Sequence, residues 1–549
     1  MPRLALVAAL CAAQSLIQAG DAPPTAISVG AGYVTAERPH GQTSFFTPVD
    51  KPTPMYFKPP PEAPLLKTAI NKNLSWIGNS EYHEFFILDG TLFGIGGTRA
   101  GMMGLGDTIP TAYVLPQRVH LPEKTVMVAA AAGGYQSLGI DATGRVWSWG
   151  HNTFGQRGDG SLPKPGTDNK EWGVPVQLTS DAAGRDFAGP ADPAAQVLSM
   201  LWYVLARTKG GAVYMWGMNG PDGAGNDSRG VIGDGKPMSD DKSDDARAVR
   251  RPSQVVFPPG TVVTRIAASS SMAMAVDKEG RLWTWGGGGE ALGVGDGKAQ
   301  EGRGARNGHT STPLQVQLGR AQAGAQPTPL PRIIDASSNT GTNFAVDANG
   351  DLWGWGLKGS LAGIPGPDWN PQPYPVKLTR AGNPHFAGID ALLGAGRKVI
   401  NVQVSVTASH VLLDDGSLWC WGDSAMGAVG DGHIVNYLMV KPQPDGKNKI
   451  SDSWDWGTTT ALVRDAVRVL THVRYFSTSA FSFHVMAVRE DGTIWSWGRD
   501  ANGVLGNKAT PYAEAWHPNH PDFDRYKPMG ESYTPNFLDV PYPMQVQPF

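Results

Sequence analysis

At 549 residues the chain has room for roughly three or four average domains or for one long repeat array, and length does not choose between them. Its 70 glycines and 18 tryptophans, set against 17% charged residues, favour an all-β protein with many tight turns and large flat side chains to bury. A net charge of −3 supplies no basic excess, which argues against nucleic acid or an acidic membrane as partner.

The first segment has its own grammar. Arg3 precedes an apolar run over residues 4–13, and Ile17-Gln18-Ala19-Gly20 suits a signal-peptidase cut. Residues 1–19 are therefore expected to be a signal peptide and the protein to be secreted or periplasmic. The run is too short to span a bilayer, so no membrane span is expected. Leu10 stands before Cys11 where a lipoprotein needs a small residue, and that reading is set aside. Loss of Cys11 leaves Cys420 as the single cysteine. Between Trp419 and Trp421 it reads as a small buried apolar residue and not as a reactive thiol. Residues 20–66 are rich in proline and carry Tyr33, Phe45, Phe46, Tyr56 and Phe57. They are read as an extended arm laid on the rest of the protein, with a simple tether as the alternative.

From residue 67 to 549 the chain repeats itself. Seven segments align on two glycines held six residues apart, from Gly90-Thr-Leu-Phe-Gly-Ile-Gly96 through Gly144-Arg-Val-Trp-Ser-Trp-Gly150 to Gly492-Thr-Ile-Trp-Ser-Trp-Gly498. The closing glycines are 96, 150, 217, 286, 356, 422 and 498. Pairs such as Asp89-Gly90, Asn349-Gly350 and Asp415-Gly416 supply the positive φ that a two-residue hairpin turn needs. In Val146-Trp147-Ser148-Trp149 both indoles point to one face of a strand and the small residues to the other, which suits burial between neighbouring sheets. A second glycine cluster follows each copy, as in Gly158-Asp-Gly160, Gly233-Asp-Gly235, Gly295-Asp-Gly297 and Gly430-Asp-Gly432. Its Asp is expected to bond its own turn. A further strand then opens on proline, as in Pro175-Val-Gln-Leu178, Pro313-Leu-Gln-Val-Gln317 and Pro543-Met-Gln-Val-Gln547. Four short strands per unit, repeated radially, predict a seven-bladed β-propeller of four-stranded blades with long inter-strand insertions. The last strand is expected to pair near Leu74-Ser75-Trp76 and so close the ring.

This pattern resembles the regulator of chromosome condensation repeat family over residues 66–549. The resemblance implies seven blades around a central axis. The first copy departs from it with Phe93 and Ile95 in place of tryptophan, as terminal repeats do.

Insertions of roughly 161–174, 236–251, 298–312, 364–374, 433–460 and 507–540 occupy the same place in each unit and are expected on one face of the disc. The 236–251 segment reads as a solvated mixed-charge loop. Tyr437, Trp454, Trp456, Trp516 and Tyr526 are the candidate partner-binding residues, because aromatics are enriched in binding hot spots, though they can equally pin a long loop to its own blade.

No phosphate loop, serine elbow, zinc-type Cys pair or His-Glu-x-x-His motif occurs. His517-Pro-Asn-His520-Pro-Asp522-Phe-Asp524 matches no standard metal spacing, and Asn219 to Asp227 lacks the closing Glu of a calcium loop. No catalytic residue, cofactor or metal is assigned. The chain reads as a monomeric, secreted or envelope-exposed scaffold that binds an unidentified protein, inhibition of that partner being one form of the role. The alternatives are guanine-nucleotide exchange on a small GTPase, which the resemblance implies, and an enzyme acting at the central channel.

Overall fold

The computed structural model describes residues 55–56, 74–79, 82–106, 108, 112–163, 169–220, 229–236, 243–294, 308–319, 328–339, 341–356, 372–380, 382–423, 427–434, 438–442, 448–452, 462–480, 482–499, 504–505 and 539–545. They form seven four-stranded antiparallel sheets arranged as the blades of a propeller. Blade 1 runs from its innermost strand Leu74–Asn79 to its outermost strand Ala112–Arg118, blade 2 from Met127–Ala132 to Val176–Leu178, and blade 3 from Ala194–Ser199 to Ala248–Gln254. Blade 4 spans Val263–Ala268 to His309–Gln315, blade 5 Ile333–Ser338 to Gln372–Lys377, blade 6 Val399–Val404 to Leu462–Leu470, and blade 7 Val473–Ser477 to Asp539–Gln545.

The repeat motif covers the second and third strands of each blade, and its closing glycine has a steric reason. Gly217, next to last in the third strand of blade 3, has φ +108°, and Met218 after it donates its N–H to the Trp202 carbonyl at 2.9 Å. A Cβ on Gly217 would lie 2.6 Å from that oxygen and 2.7 Å from the Tyr203 Cα, both of them backbone atoms. The same crossing recurs in the other blades, as at Gly150 beneath the Tyr135 carbonyl and Gly498 beneath that of Phe483. Only glycine combines that φ with that approach.

The expected two-residue turn is found in blade 1 alone, where Asp89 and Gly90 both have positive φ between strands His83–Leu88 and Thr91–Gly97. The other six turns are longer by one residue and bulged. In blade 2 Gly144 N–H donates to the Asp141 carbonyl and Asp141 N–H to the Arg145 carbonyl, a type I turn closed by a left-handed glycine. The extra residue lets the turn's own side chain serve the tryptophan. Asp141 Oδ1 accepts the N–H of Thr143 and of Arg145, and its Oδ2 accepts Trp147 Nε1–H at 2.8 Å. Asp277 and Asp347 hold Trp283 and Trp353 in the same way. Blade 6 uses a relay, with Trp419 Nε1–H donating to Ser417 Oγ at 3.0 Å and Ser417 Oγ–H to Asp415 Oδ1 at 2.6 Å. Ser417→Ala is therefore expected to lower stability by about 1 kcal/mol, read as a small drop in the urea midpoint with an unchanged slope.

In blades 2, 3, 4, 5 and 7 the second tryptophan, with the glycine cluster of the preceding blade, makes the seam between blades. Trp285 Nε1–H of blade 4 donates to the Val231 carbonyl of blade 3 at 2.7 Å, and Gly233 two residues on would place a Cβ 2.7 Å from that nitrogen. The pairing repeats as Trp149 with Met102 and Gly104, Trp216 with Gln156 and Gly158, Trp355 with Ala291 and Gly293, and Trp497 with Ala428 and Gly430. The two repeated motifs are thus two halves of one contact: the glycine makes room for the neighbouring indole. In blade 4 the seat is Gly293, two residues before the Gly295-Asp-Gly297 that the sequence pattern picks out, which lies outside the described residues. The Asp of the cluster does bond locally, as Asp159 Oδ1 accepts the Ser161 N–H at 2.9 Å. The apolar core correspondingly lies between blades. Phe85, Ile87, Trp147 and Trp149 pack the first seam, and Val146, Val204 and Trp216 the second. Cys420 is fully buried in the seam of blades 6 and 7, and burial pushes its thiol pKa up, as a small core residue requires.

Two further expectations are corrected. The C-terminal strand does not join blade 1: Asp539–Gln545 pairs with Ile494–Arg499 of its own blade, and Leu74–Asn79 pairs with His83–Leu88. Blades 7 and 1 meet instead through side chains. Phe86 packs into the blade 6–7 core cluster, and Glu84 Oε1 bonds His484 Nε2. This repeats the register of the neighbouring seam, where His83 Nε2 meets Ser137 Oγ at 2.7 Å. Proline also opens the outermost strand in blade 2 only. In blades 4, 5 and 7 it lies inside that strand where the register shifts, so a bulge on a sheet edge absorbs the missing donor.

Candidate functional site

Within a blade the connections between strands one and two and between strands three and four share one end of the sheet. The long insertions follow strand three, so the described residues at their ends lie on that face. The described pieces include the 3-10 turn Lys170–Gly173 in blade 2 and the short helix Asp244–Arg247 in blade 3, capped by Ser243. The latter is exposed and internally paired, Arg247 with Asp244 at 2.6 Å, in keeping with a solvated mixed-charge segment. In blade 6 the insertion contains the hairpin Leu438–Pro442 and Asn448–Asp452, and His433–Ile434 pairs antiparallel with Met55–Tyr56 of the proline-rich arm.

On this face a cavity of about 420 Å³ opens over blades 1 to 3, lined by Tyr82, Arg99, Ala100, Gly134, Tyr135, His151, Leu201 and Trp202. Its walls are built by equivalent positions of three repeats. Tyr82, Tyr135 and Trp202 each stand just before the second strand of their blade, and their carbonyls accept the N–H after the closing glycine. Tyr82 and Tyr135 stack with centroids 5.5 Å apart and planes 11° off parallel, and Trp202 lies 6.3 Å from Tyr135. Phe483 holds the same position in blade 7, whereas blades 4, 5 and 6 have Ser271, Gly341 and Thr407 there. The seven-fold pattern is broken, with aromatics on one arc and small residues on the other.

Next to the cavity, blade 1 and the blade 2 insertion pack backbone to backbone. Gly101 of blade 1 approaches Gly173 of the blade 2 insertion so nearly that a Cβ would lie 2.5 Å from its backbone, and Gly106 N–H donates to the Gly173 carbonyl at 2.8 Å. Arg157 pins that insertion further, meeting the Glu171 carbonyl through Nη1 and Asp159 through Nε. Arg99, exposed at the cavity, lies over the Tyr135 ring at 5.2 Å. His151 packs between Trp172 at 5.1 Å and Trp202 at 5.7 Å. Burial, then the charge of Arg99, lowers its pKa to about 4 against the opposing pull of Asp244, so the ring is neutral at pH 7. Its tautomer follows from its partners. Phe154 N–H donates to Gln156 Oε1, which turns the Gln156 amide NH₂ to His151 Nδ1; Nε2–H is then left to donate to Thr153 Oγ1 at 2.9 Å.

The central channel offers different chemistry. Its mouth is lined by small residues of the innermost strands, among them Ala131, Ala132, Ser199, Ala268 and Ser338. Deeper on those strands, Arg265 and Asp335 form a buried ion pair at 2.5 Å, and Asp335 also accepts from the N–H groups of Ala336 and Val402 and from Asn401. Burial raises the Asp335 pKa, with Arg265 opposing it. These charges satisfy one another across blades 4, 5 and 6. Among the described residues no three His, Cys, Asp or Glu side chains gather as a metal site would require, and no helix is long and apolar enough to cross a membrane.

The residues singled out from sequence, Tyr437, Trp454, Trp456, Trp516 and Tyr526, lie outside the described residues, as do His517 to Asp524 and residues 1–19. The signal of the aromatic cavity lies in the repeat register. Aligning the residue before each second strand shows Tyr, Tyr and Trp in three successive copies. These side chains stand inside the repeat and not in its insertions, where binding aromatics were expected.

A rigid seven-bladed disc with a built cavity on its insertion face is the class this geometry defines. Residues 127–156 match the model of the regulator of chromosome condensation (RCC1) repeat, and this match supports the family resemblance. Human alsin is 34% identical over 97 residues, 16% of this chain and 5% of alsin. The mitochondrial RCC1 domain-containing protein RUG3 of Arabidopsis thaliana is 21% identical over 353 residues, 62% of this chain and 64% of RUG3. The matched region thus spans less than two thirds of either relative. Among solved structures, yeast RCC1 (Prp20) bound to Kap60 superposes with a TM-score of 0.54 at 17% identity, covering 93% of this chain and 91% of that one, a likeness of fold. Another Prp20p structure, from Saccharomyces cerevisiae, concerns its binding to Gsp1p and histones.

Proposed function

We propose that the protein is a secreted or envelope-exposed, protein-binding regulator that engages its partner through the insertion face, with the cavity over blades 1 to 3 at the centre of the contact. The observation that carries this reading is the half-buried aromatic cluster of Tyr82, Tyr135 and Trp202, assembled from three blades and accompanied by an exposed arginine. Aromatic and arginine side chains in a partly desolvated hollow are the usual anchors of protein interfaces. Prp20p, similar in fold, is a protein that binds other proteins, which agrees with the reading. Its binding to Gsp1p also keeps nucleotide exchange as a second reading, which an exchange assay on a small GTPase tests directly.

The chain from Gly20 onward, immobilised and exposed to secreted and envelope extracts, is expected to retain one dominant protein identifiable by mass spectrometry. Tyr135→Ala and Trp202→Ala should each reduce its recovery about tenfold or more, with melting temperatures checked alongside. Equal recovery by both variants would remove the cavity from the interface. A deletion of 433–460 measures in parallel what Tyr437, Trp454 and Trp456 contribute. Export is tested by comparing the full chain with one lacking residues 1–19.

A further inference from the structure

The cavity carries information about what it takes, given that it takes a protein. It has one charged lining residue among those described, Arg99, and no described carboxylate stands within ion-pair distance of its guanidinium. The nearby acid that acts on His151, Asp244, is held by Arg247 at 2.6 Å. His151 is neutral with both ring nitrogens engaged by Thr153 and Gln156, so it adds no charge. Leu201 and Trp202 add an apolar wall beside the stacked tyrosines, Trp202 lying 6.3 Å from Tyr135. The volume, about 420 Å³, lies within the roughly 300–1,000 Å³ of small-ligand pockets and suits one or two side chains, not a folded element.

We propose that this cavity receives an acidic segment of the protein partner, with a carboxylate paired to Arg99 and a neighbouring aromatic side chain laid against Trp202 and Leu201. This rests on the partner-binding reading above. A guanidinium lying on an aromatic ring keeps its in-plane N–H donors available for a carboxylate, and the ring restricts the freedom the arginine would otherwise lose on binding. Burying a side chain beside that pair strengthens it by excluding water. A nucleic acid also offers anions and flat rings, but its affinity comes from several cations acting together, and here a single arginine among the described residues lines the cavity of a chain with net charge −3.

The test uses the chain from Gly20 onward and fluorescein-labelled peptides with a central Glu-Tyr or Asp-Trp in Gly-Ser flanks, followed by anisotropy. Matched controls carry Gln for Glu or Leu for the aromatic, and a single-stranded oligonucleotide is the remaining probe. The acidic-aromatic peptides should bind about tenfold more tightly than the Gln controls, and added salt should weaken them. Arg99→Gln should erase that difference, Arg99→Lys should keep part of it, and Arg99→Glu should turn the preference toward Lys-Tyr peptides. Indifference to the carboxylate, an unchanged preference in Arg99→Gln, or tighter binding of the oligonucleotide would each overturn the proposal. The two readings fail separately. If Tyr135→Ala loses the captured partner while acidic and neutral peptides bind alike, only the ligand chemistry falls; if capture ignores the cavity, the partner-binding site itself falls.

Discussion

Trp285→Ala is expected to destabilise the protein by about 3–5 kcal/mol, the usual cost of removing a large buried aromatic. The indole is fully buried between blades 3 and 4, packs on Phe257 at 5.5 Å and donates to the Val231 carbonyl at 2.7 Å. Two losses therefore coincide, a cavity in the seam and a broken bond across it. They can be separated, because Trp285→Phe restores most of the packing without the N–H and should cost about 1–2 kcal/mol. Urea unfolding of the two variants measures both terms. A cost below about 1 kcal/mol for the alanine variant would mean that the indole does not hold the blades together. The glycine seat gives an independent check: a side chain at Gly233 meets the same nitrogen, so Gly233→Ala should damage the same seam with the tryptophan itself retained.

The second large effect is on acid stability. Burial lowers the pKa of His83 to about 3 and that of His410 to about 4, and burial with Arg99 lowers that of His151 to about 4. In the unfolded chain these rings take up a proton near pH 6.5, and in the fold they refuse it until about 3 or 4. Their contribution is complete above pH 6.5 and is lost as the pH falls toward 4. Glu84 acts in the opposite sense: burial raises its pKa well above the usual carboxylate value, so its contribution is complete at low pH and declines as pH rises past 4.5. A single variant isolates the histidine part. Between pH 7 and 4.5, His410→Gln should lose less stability than the parent by about 2 kcal/mol, from a depression of that size. Identical pH profiles for the two proteins would show that His410 takes its proton in the fold as readily as in the unfolded chain.

Much of the fold was legible because a propeller repeats its reasons. Each copy must turn, cross its own second strand and seat the next indole, and each requirement leaves a glycine or a tryptophan at a set spacing. What failed to show was geometry that several residue choices satisfy equally. A two-residue and a bulged turn both accept a glycine of positive φ, so Asp89-Gly90 and Asp415-Gly416 look alike although only the first is the two-residue turn. The proline of the outermost strand has the same ambiguity, since a strand start and an edge bulge both tolerate a missing donor.

Sequence by itself determined the all-β class, the seven copies and the buried role of Cys420, because all of these follow from spacing and side-chain alternation within one unit. Tertiary structure alone decided what happens between units. That the C-terminal strand stays in its own blade, and that Glu84 and His484 join the first blade to the last, depend on residues 400 positions apart. The cavity on the insertion face has the same origin. Tyr82, Tyr135 and Trp202 are unremarkable one at a time, and only the rotation from blade to blade brings their rings together beside Arg99, because a radial array places equivalent positions of successive repeats side by side.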